Sequence, residues 1–316
     1  MKHKSKIITP ILLTVGATVG TVLLNKYIKI SATSKNLLSE SRPQTFKWRL
    51  GDIHYTKTGN GKPLLLIHDL DCASSSVEWE NLITLLKEDY TVYAIDLLGC
   101  GRSEKPNLTY TNFLYVQLIN DFIKFEIGRR TNVVATGASA SIVTMACAYK
   151  EELFDQIMFI NPESFSSCSQ IPGKRAKAYK FLLDTPLIGT LLYNIASSKN
   201  VLKHTFNDKL FYNPSDAQPI LIEKYYEAAH LGLAAKAIFS SVNCKYTKCN
   251  ISRSLEKINH SIYIIGGGAE QDINEIIAEY TLCNPAIESS IIAATKHLPQ
   301  LEKPVEVYNL IKMFFN

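Results

Sequence analysis

The 316-residue sequence predicts an α/β protein: a mostly parallel sheet with helices on both faces, a helical insertion, and an apolar helix in front. Three observations carry this. Short apolar strands alternate with amphipathic helices over residues 46–162, and the same rhythm resumes over 261–316. Between them, residues 163–260 break the rhythm with helix-like pieces and are too long for a loop, so they read as a helical lid.

Taken in order, MKHKSKIITPILLTVGATVGTVLLNKYIKI sets Lys2, Lys4 and Lys6 before an uncharged run from Ile7 to Leu24, near the lower limit for a membrane-spanning helix. Residues 1–30 therefore read as an uncleaved single-pass anchor, since no small-residue cleavage site follows. Lys26, Lys29, Lys35 and Arg42 beyond it lean the remaining domain toward the cytoplasmic side. Gly16 and Gly20 form a GxxxG, a spacing common in membrane helices without a partner. Residues 31–45 form a polar tether.

Next come a leading strand pair over 47–59, the apolar strand LLLIHD, and a helix with Trp79, Leu82, Ile83 and Leu86 on one face. TVYAIDL, a helix from Asn112 to Glu126, NVVATG, a helix from about Ser139 to Tyr149, and QIMFINP follow. After the insertion the pattern gives SIYIIGG, a helix near Asp272 to Leu282, IESSIIAAT and a closing helix VEVYNLIKMFF.

Net charge is +5, but the basic residues are scattered, so nucleic acid is excluded as a partner and anionic lipid is not. The seven cysteines form neither a zinc pattern nor a disulfide framework, and no metal or organic cofactor is expected.

The chemistry centres on TGASAS. A nucleophile at a strand end, lifted onto a tight turn before a helix, needs neighbours without bulk, and Gly137, Ala138, Ala140 and Ser141 surround Ser139 with none. Ser141 stands where G-x-S-x-G has its second glycine. The segments LLLIHDLDCASS, DLLGCGRSEKP, TGASAS and TKHLPQLEKP lie in the order and spacing of the α/β-hydrolase family, which residues 47–316 resemble.

That resemblance implies an eight-stranded sheet with an inserted lid, Ser139 as nucleophile and His297 as general base. It places the triad acid after the strand at 261–267, where Glu270 keeps the family's offset from Gly267. Asp272 is the alternative, although D-I-N-E with Glu275 also reads as a helix-capping box; Glu163 is a third candidate. The oxyanion hole is expected from the backbone N–H groups of Leu70 and Ala140. Family members carry His-Gly where this chain has His68-Asp69, putting a carboxylate near a site meant for negative charge. In DLLGCGRSEKP, Asp96 and Arg102 are expected to fix the loop.

The insertion is rich in apolar and aromatic residues, among them Tyr179, Phe181, Phe206, Phe211 and Tyr225, most of which should pack it on the sheet. The expected function is a membrane-anchored serine hydrolase, esterase-like, cleaving a small lipophilic carboxylic ester through an acyl-enzyme at Ser139. The alternative is a catalytically inactive binding or scaffold protein of the same fold at the membrane.

Overall fold

A computed structural model describes residues 2–40 and 43–316, with side chains from Thr18 onward. An N-terminal helix α1 (Lys2–Thr33) leads into β1 (Gln44–Trp48) and β2 (Gly51–Thr58), an antiparallel pair as expected. Then follow β3 (Lys62–Ile67), α2 (Glu80–Leu86), β4 (Tyr90–Ile95), α3 (Asn112–Asp121), β5 (Thr131–Thr136), α4 (Ser139–Tyr149) and β6 (Phe154–Ile160). The insertion holds α5 (Phe165–Cys168), α6 (Lys174–Asp184), α7 (Ile188–Ala196), α8 (Lys199–Thr205), α9 (Pro219–His230), α10 (Ala235–Asn243) and α11 (Ser252–Leu255). The core closes with β7 (Ile262–Gly267), α12 (Ile273–Cys283), β8 (Glu288–Ile292), α13 (Pro299–Glu302) and α14 (Pro304–Phe315).

The eight strands form one sheet in the order β1-β2-β4-β3-β5-β6-β7-β8, parallel from β4 to β8. The central strands are apolar throughout because both faces are covered. Successive side chains feed opposite cores: Leu65 and Ile67 of β3 join the cluster with α3 and α4, while Leu64 and Leu66 join the one with α2 and α14.

The apolar run read as an anchor lies within α1, where side chains are described only from Thr18, and Arg42 lies outside the described residues. Among those described, no helix is long and apolar enough to cross a membrane.

One local expectation needs correction. Asp272 sits at the start of α12 with φ of +56°, and its side chain makes no capping hydrogen bond, so the D-I-N-E box does not form. Of the insertion's aromatics, Phe206, Phe211 and Tyr225 are buried with Ala73, Val77 and Leu298, while Tyr179 and Phe181 are exposed, Phe181 to 78%.

Candidate active site

The parallel strands end together, and the loops beyond β3, β5, β7 and β8 meet there. The sharp bend between β5 and α4 falls at Gly137, whose φ is +53°. Ser139 lies two residues further on, at the first turn of α4. It is fully buried, and its Oγ donates to the His68 carbonyl oxygen at 2.6 Å. Ser139 makes no hydrogen bond to His297, so the structure leaves it outside the cluster it was expected to lead.

Asp69 takes the place at the bend. A Cβ built on Gly137 would come within 2.3 Å of Asp69 Oδ1 and 2.4 Å of its Cγ. The carboxylate therefore fills the space a side chain on the bend residue would use. Its Oδ1 accepts the N–H of Leu70 and of Ala138, both at 2.8 Å. Two backbone donors thus converge on one oxygen of Asp69. Leu70 N is one of these donors, whereas the Ala140 N–H is spent on Gly137 O at 3.2 Å, inside the first turn of the helix. The second donor is Ala138, the residue after the bend.

His297 completes the site. Its Nε2 meets Asp69 Oδ2 at 3.3 Å and its Nδ1 meets Glu270 Oε1 at 3.2 Å. Glu270 thus reaches His297 as expected, while Asp272 makes no such contact. Glu163 is engaged elsewhere, in an ion pair with Lys248 and a hydrogen bond from Ser167 Oγ.

Asn161, just after β6, holds the His297 loop in place. Its Nδ2 donates to the carbonyls of Lys296 and His297 at 2.8 and 2.9 Å, and its Oδ1 accepts from Gly267 N at 2.8 Å. Gly267 allows this approach, because a Cβ there would lie 1.9 Å from Lys296 O.

The charges follow from this packing. Burial opposes protonation of His297, but its hydrogen bonds to Asp69 and Glu270 outweigh that and push its pKa up to about 10. Burial works to raise the Asp69 pKa, and the hydrogen bond and charge of His297 with the two N–H donors outweigh it and hold it below the usual range. The resting site is an Asp69 carboxylate paired with a His297 imidazolium. Beneath it, Glu78 accepts from Asp69 N and Thr136 Oγ1, each at 3.1 Å. Burial, then the Asp69 charge, pushes Glu78 up to about 8. The buried Tyr225 hydroxyl, from α9, faces Glu78.

Asp96 and Arg102 fix their loop as expected, through bonds of 2.9 Å from Arg102 N and Nε to Asp96 Oδ2. His68 is structural: Leu97 N donates to its Nε2 at 3.0 Å.

Residues 64–310 match the model of the alpha/beta hydrolase family. The chain belongs to that family. A segment of 74 residues is 38% identical to a 2-hydroxy-6-oxo-6-(2'-aminophenyl)hexa-2,4-dienoic acid hydrolase of Metapseudomonas resinovorans, covering 23% of this chain and 26% of that one. Another of 54 residues is 48% identical to a soluble epoxide hydrolase of a Corynebacterium strain, covering 17% and 18%. The matches thus span about a quarter or less of these relatives. Among solved structures, the epoxide hydrolase CorEH superposes with a TM-score of 0.70 at 20% identity, over 87% of this chain and 98% of its own. A membrane phospholipase A superposes with a TM-score of 0.66 at 18% identity over 98% of both chains.

Proposed function

We propose that this protein is a hydrolase whose nucleophile is the Asp69 carboxylate, with His297 and Glu270 as its proton-transfer pair. Its substrate is a small lipophilic molecule bearing an epoxide or similar electrophilic carbon. The observation that carries the reading is the position of Asp69: one oxygen in the two-donor hole, the other facing His297.

Asp69 Oδ2 attacks the ring carbon, the C–O bond breaks, and the alkoxide takes the proton of the His297 imidazolium. This leaves a neutral ester at Asp69 and a neutral imidazole. Loss of the carboxylate charge removes much of what held His297 protonated, so it becomes a competent base. His297 then takes a proton from water, and the hydroxide attacks Cγ. The charge develops on Oδ1, which already lies between Leu70 N and Ala138 N. The tetrahedral intermediate collapses, the alcohol leaves with the His297 proton, and the Asp69 carboxylic acid returns its own proton to His297. The resting ion pair is restored and one water has been added.

The test is a single turnover of styrene oxide, with protein in excess, in ¹⁸O-water. Product from the first turnover carries unlabelled oxygen from Asp69 if the reading holds, and ¹⁸O if water attacks directly.

The occupied hole also favours a second reading, a protein that binds a lipophilic ligand at this site without turnover. Absence of turnover across epoxide and ester panels, with ligand binding retained, selects it. The serine route to a lipophilic carboxylic ester requires Ser139 Oγ to leave the His68 carbonyl and reach His297. Fluorophosphonate labelling that disappears in Ser139→Ala would establish that route instead. In either catalytic reading, the run Ile7–Leu24 serves as the membrane anchor, supported by its length and its flanking lysines.

A further inference from the structure

Two helices of this protein turn apolar stripes outward. In α7 the residues Ile188, Leu191, Leu192 and Ile195 recur at helical spacing, yet Ile188 and Ile195 are exposed while Gly189, Tyr193 and Asn194 on the other side are buried. In α1 the exposed residues Leu23, Tyr27 and Ile30 form a second such stripe.

The helices are joined. Asn194 Nδ2 donates to Asn25 Oδ1 at 2.8 Å, and Lys29 Nζ donates to the carbonyl of Gly232. Beside that carbonyl stands Leu233, 96% exposed. Both contacts fall on α1 within the five residues after Leu24, where the apolar run of the sequence ends.

Charge points the same way. Residues 18–36 and 171–203 carry nine Lys or Arg and one acid, Asp184; Lys35 and Lys199 pair with Glu223 and Lys180 with Asp184, which leaves Lys26, Lys29, Lys174, Arg175, Lys177 and Lys203 outside the ion pairs among the described residues. Lys26 and Lys29 lie exposed among the apolar residues of α1, as cations do at the headgroup level of a bilayer.

We propose that the outer face of α7, together with Leu233, rests on the surface of an anionic lipid bilayer at the level where α1 leaves its apolar run. A bilayer satisfies what these residues present together: an apolar surface for the stripes, anionic headgroups for the cations, and continuity with the helix that leads into it. Both α7 and the 231–234 segment belong to the insertion that covers the site, so this contact sets the insertion against the membrane. The inference does not depend on which residue performs catalysis.

The experiment uses the full chain reconstituted in vesicles of brominated phosphatidylcholine with or without phosphatidylglycerol, with tryptophan introduced by Leu233→Trp, Ile195→Trp or Leu282→Trp. All three sites are exposed, and the native Trp48 and Trp79 are buried and provide the wild-type background. Quenching at 233 and 195 several-fold above that at 282, and stronger with phosphatidylglycerol, is the expected result. No quenching at 233 and 195, or equal quenching at all three, overturns the proposal; indifference to phosphatidylglycerol overturns its anionic part. Emission at 233 that ignores brominated lipid but changes with protein dilution assigns the face to a second copy instead.

Discussion

The carboxylate of Asp69 occupies the space that a side chain on Gly137 would need: the residue at the bend has no side chain, and Asp69 Oδ1 lies 2.3 Å from where a Cβ would sit. The pair is physically coupled. A side chain at 137 and a carboxylate at 69 cannot both be accommodated without movement.

Gly137→Ser alone should therefore lose roughly 2–4 kcal/mol of stability, from the left-handed φ and the overlap with Asp69, measured by urea denaturation. The double variant Asp69→Gly/Gly137→Ser should recover much of this loss and place a serine hydroxyl facing His297. Fluorophosphonate labelling of the double variant, absent from both the wild type and Gly137→Ser, is the expected readout.

Asp69→Asn keeps the shape but removes the charge. Turnover should fall on the order of 10³-fold or more, and the His297 pKa should drop from about 10 toward its ordinary range, followed by NMR titration of the imidazole. An unchanged His297 titration would show that the Asp69 contact does not set the proton state of the site.

Ser139→Ala removes one hydrogen bond to the His68 carbonyl. The expected cost is about 1 kcal/mol of stability with epoxide turnover preserved. A loss of turnover as large as that of Asp69→Asn would return the nucleophile to Ser139.

Glu270→Gln should lower turnover on the order of 10²–10⁴-fold, as expected when an imidazole loses the carboxylate that fixes its orientation and charge. Asp272→Asn, which touches nothing in the site, should change turnover little. Steady-state kinetics on the two variants side by side decides between them.

Stability should decline with pH on the alkaline side. His297 is raised from 6.5 to about 10, so its contribution is complete below pH 6.5 and is lost as pH rises toward 10. Glu78 is raised from 4.5 to about 8, so its contribution is complete below pH 4.5 and declines up to about 8. Between pH 6.5 and 8 both slopes act, each about 1.4 kcal/mol per unit. Asp69, held low, contributes in the opposite sense and only on the acid side. Glu78→Gln should make the decrease in melting temperature from pH 6.5 to 8 shallower than in wild type.

The sequence by itself determined the alternation of strands and helices and the helical interruption at 163–260, and it left Glu270, Asp272 and Glu163 as candidate partners for His297, of which the structure brings Glu270 into contact. Those features are local: periodicity follows from burying one face or both, and Glu270 and His297 hang from loops at the ends of neighbouring strands. Asp69 was visible as a departure where a glycine is expected, but its meaning depends on Gly137 across the sheet edge, and no periodicity links the two. The joint signal, a bulky acid at 69 and a glycine at 137, is legible only once β3 and β5 are known to lie side by side. For the same reason Ser139 could be read as the bend residue: TGASAS offers several small residues, and only backbone geometry puts the positive φ at Gly137. The tertiary structure alone decided which group faces His297, because that choice turns on about two residues of register at a strand end, a distance that sequence spacing does not resolve and steric exclusion does.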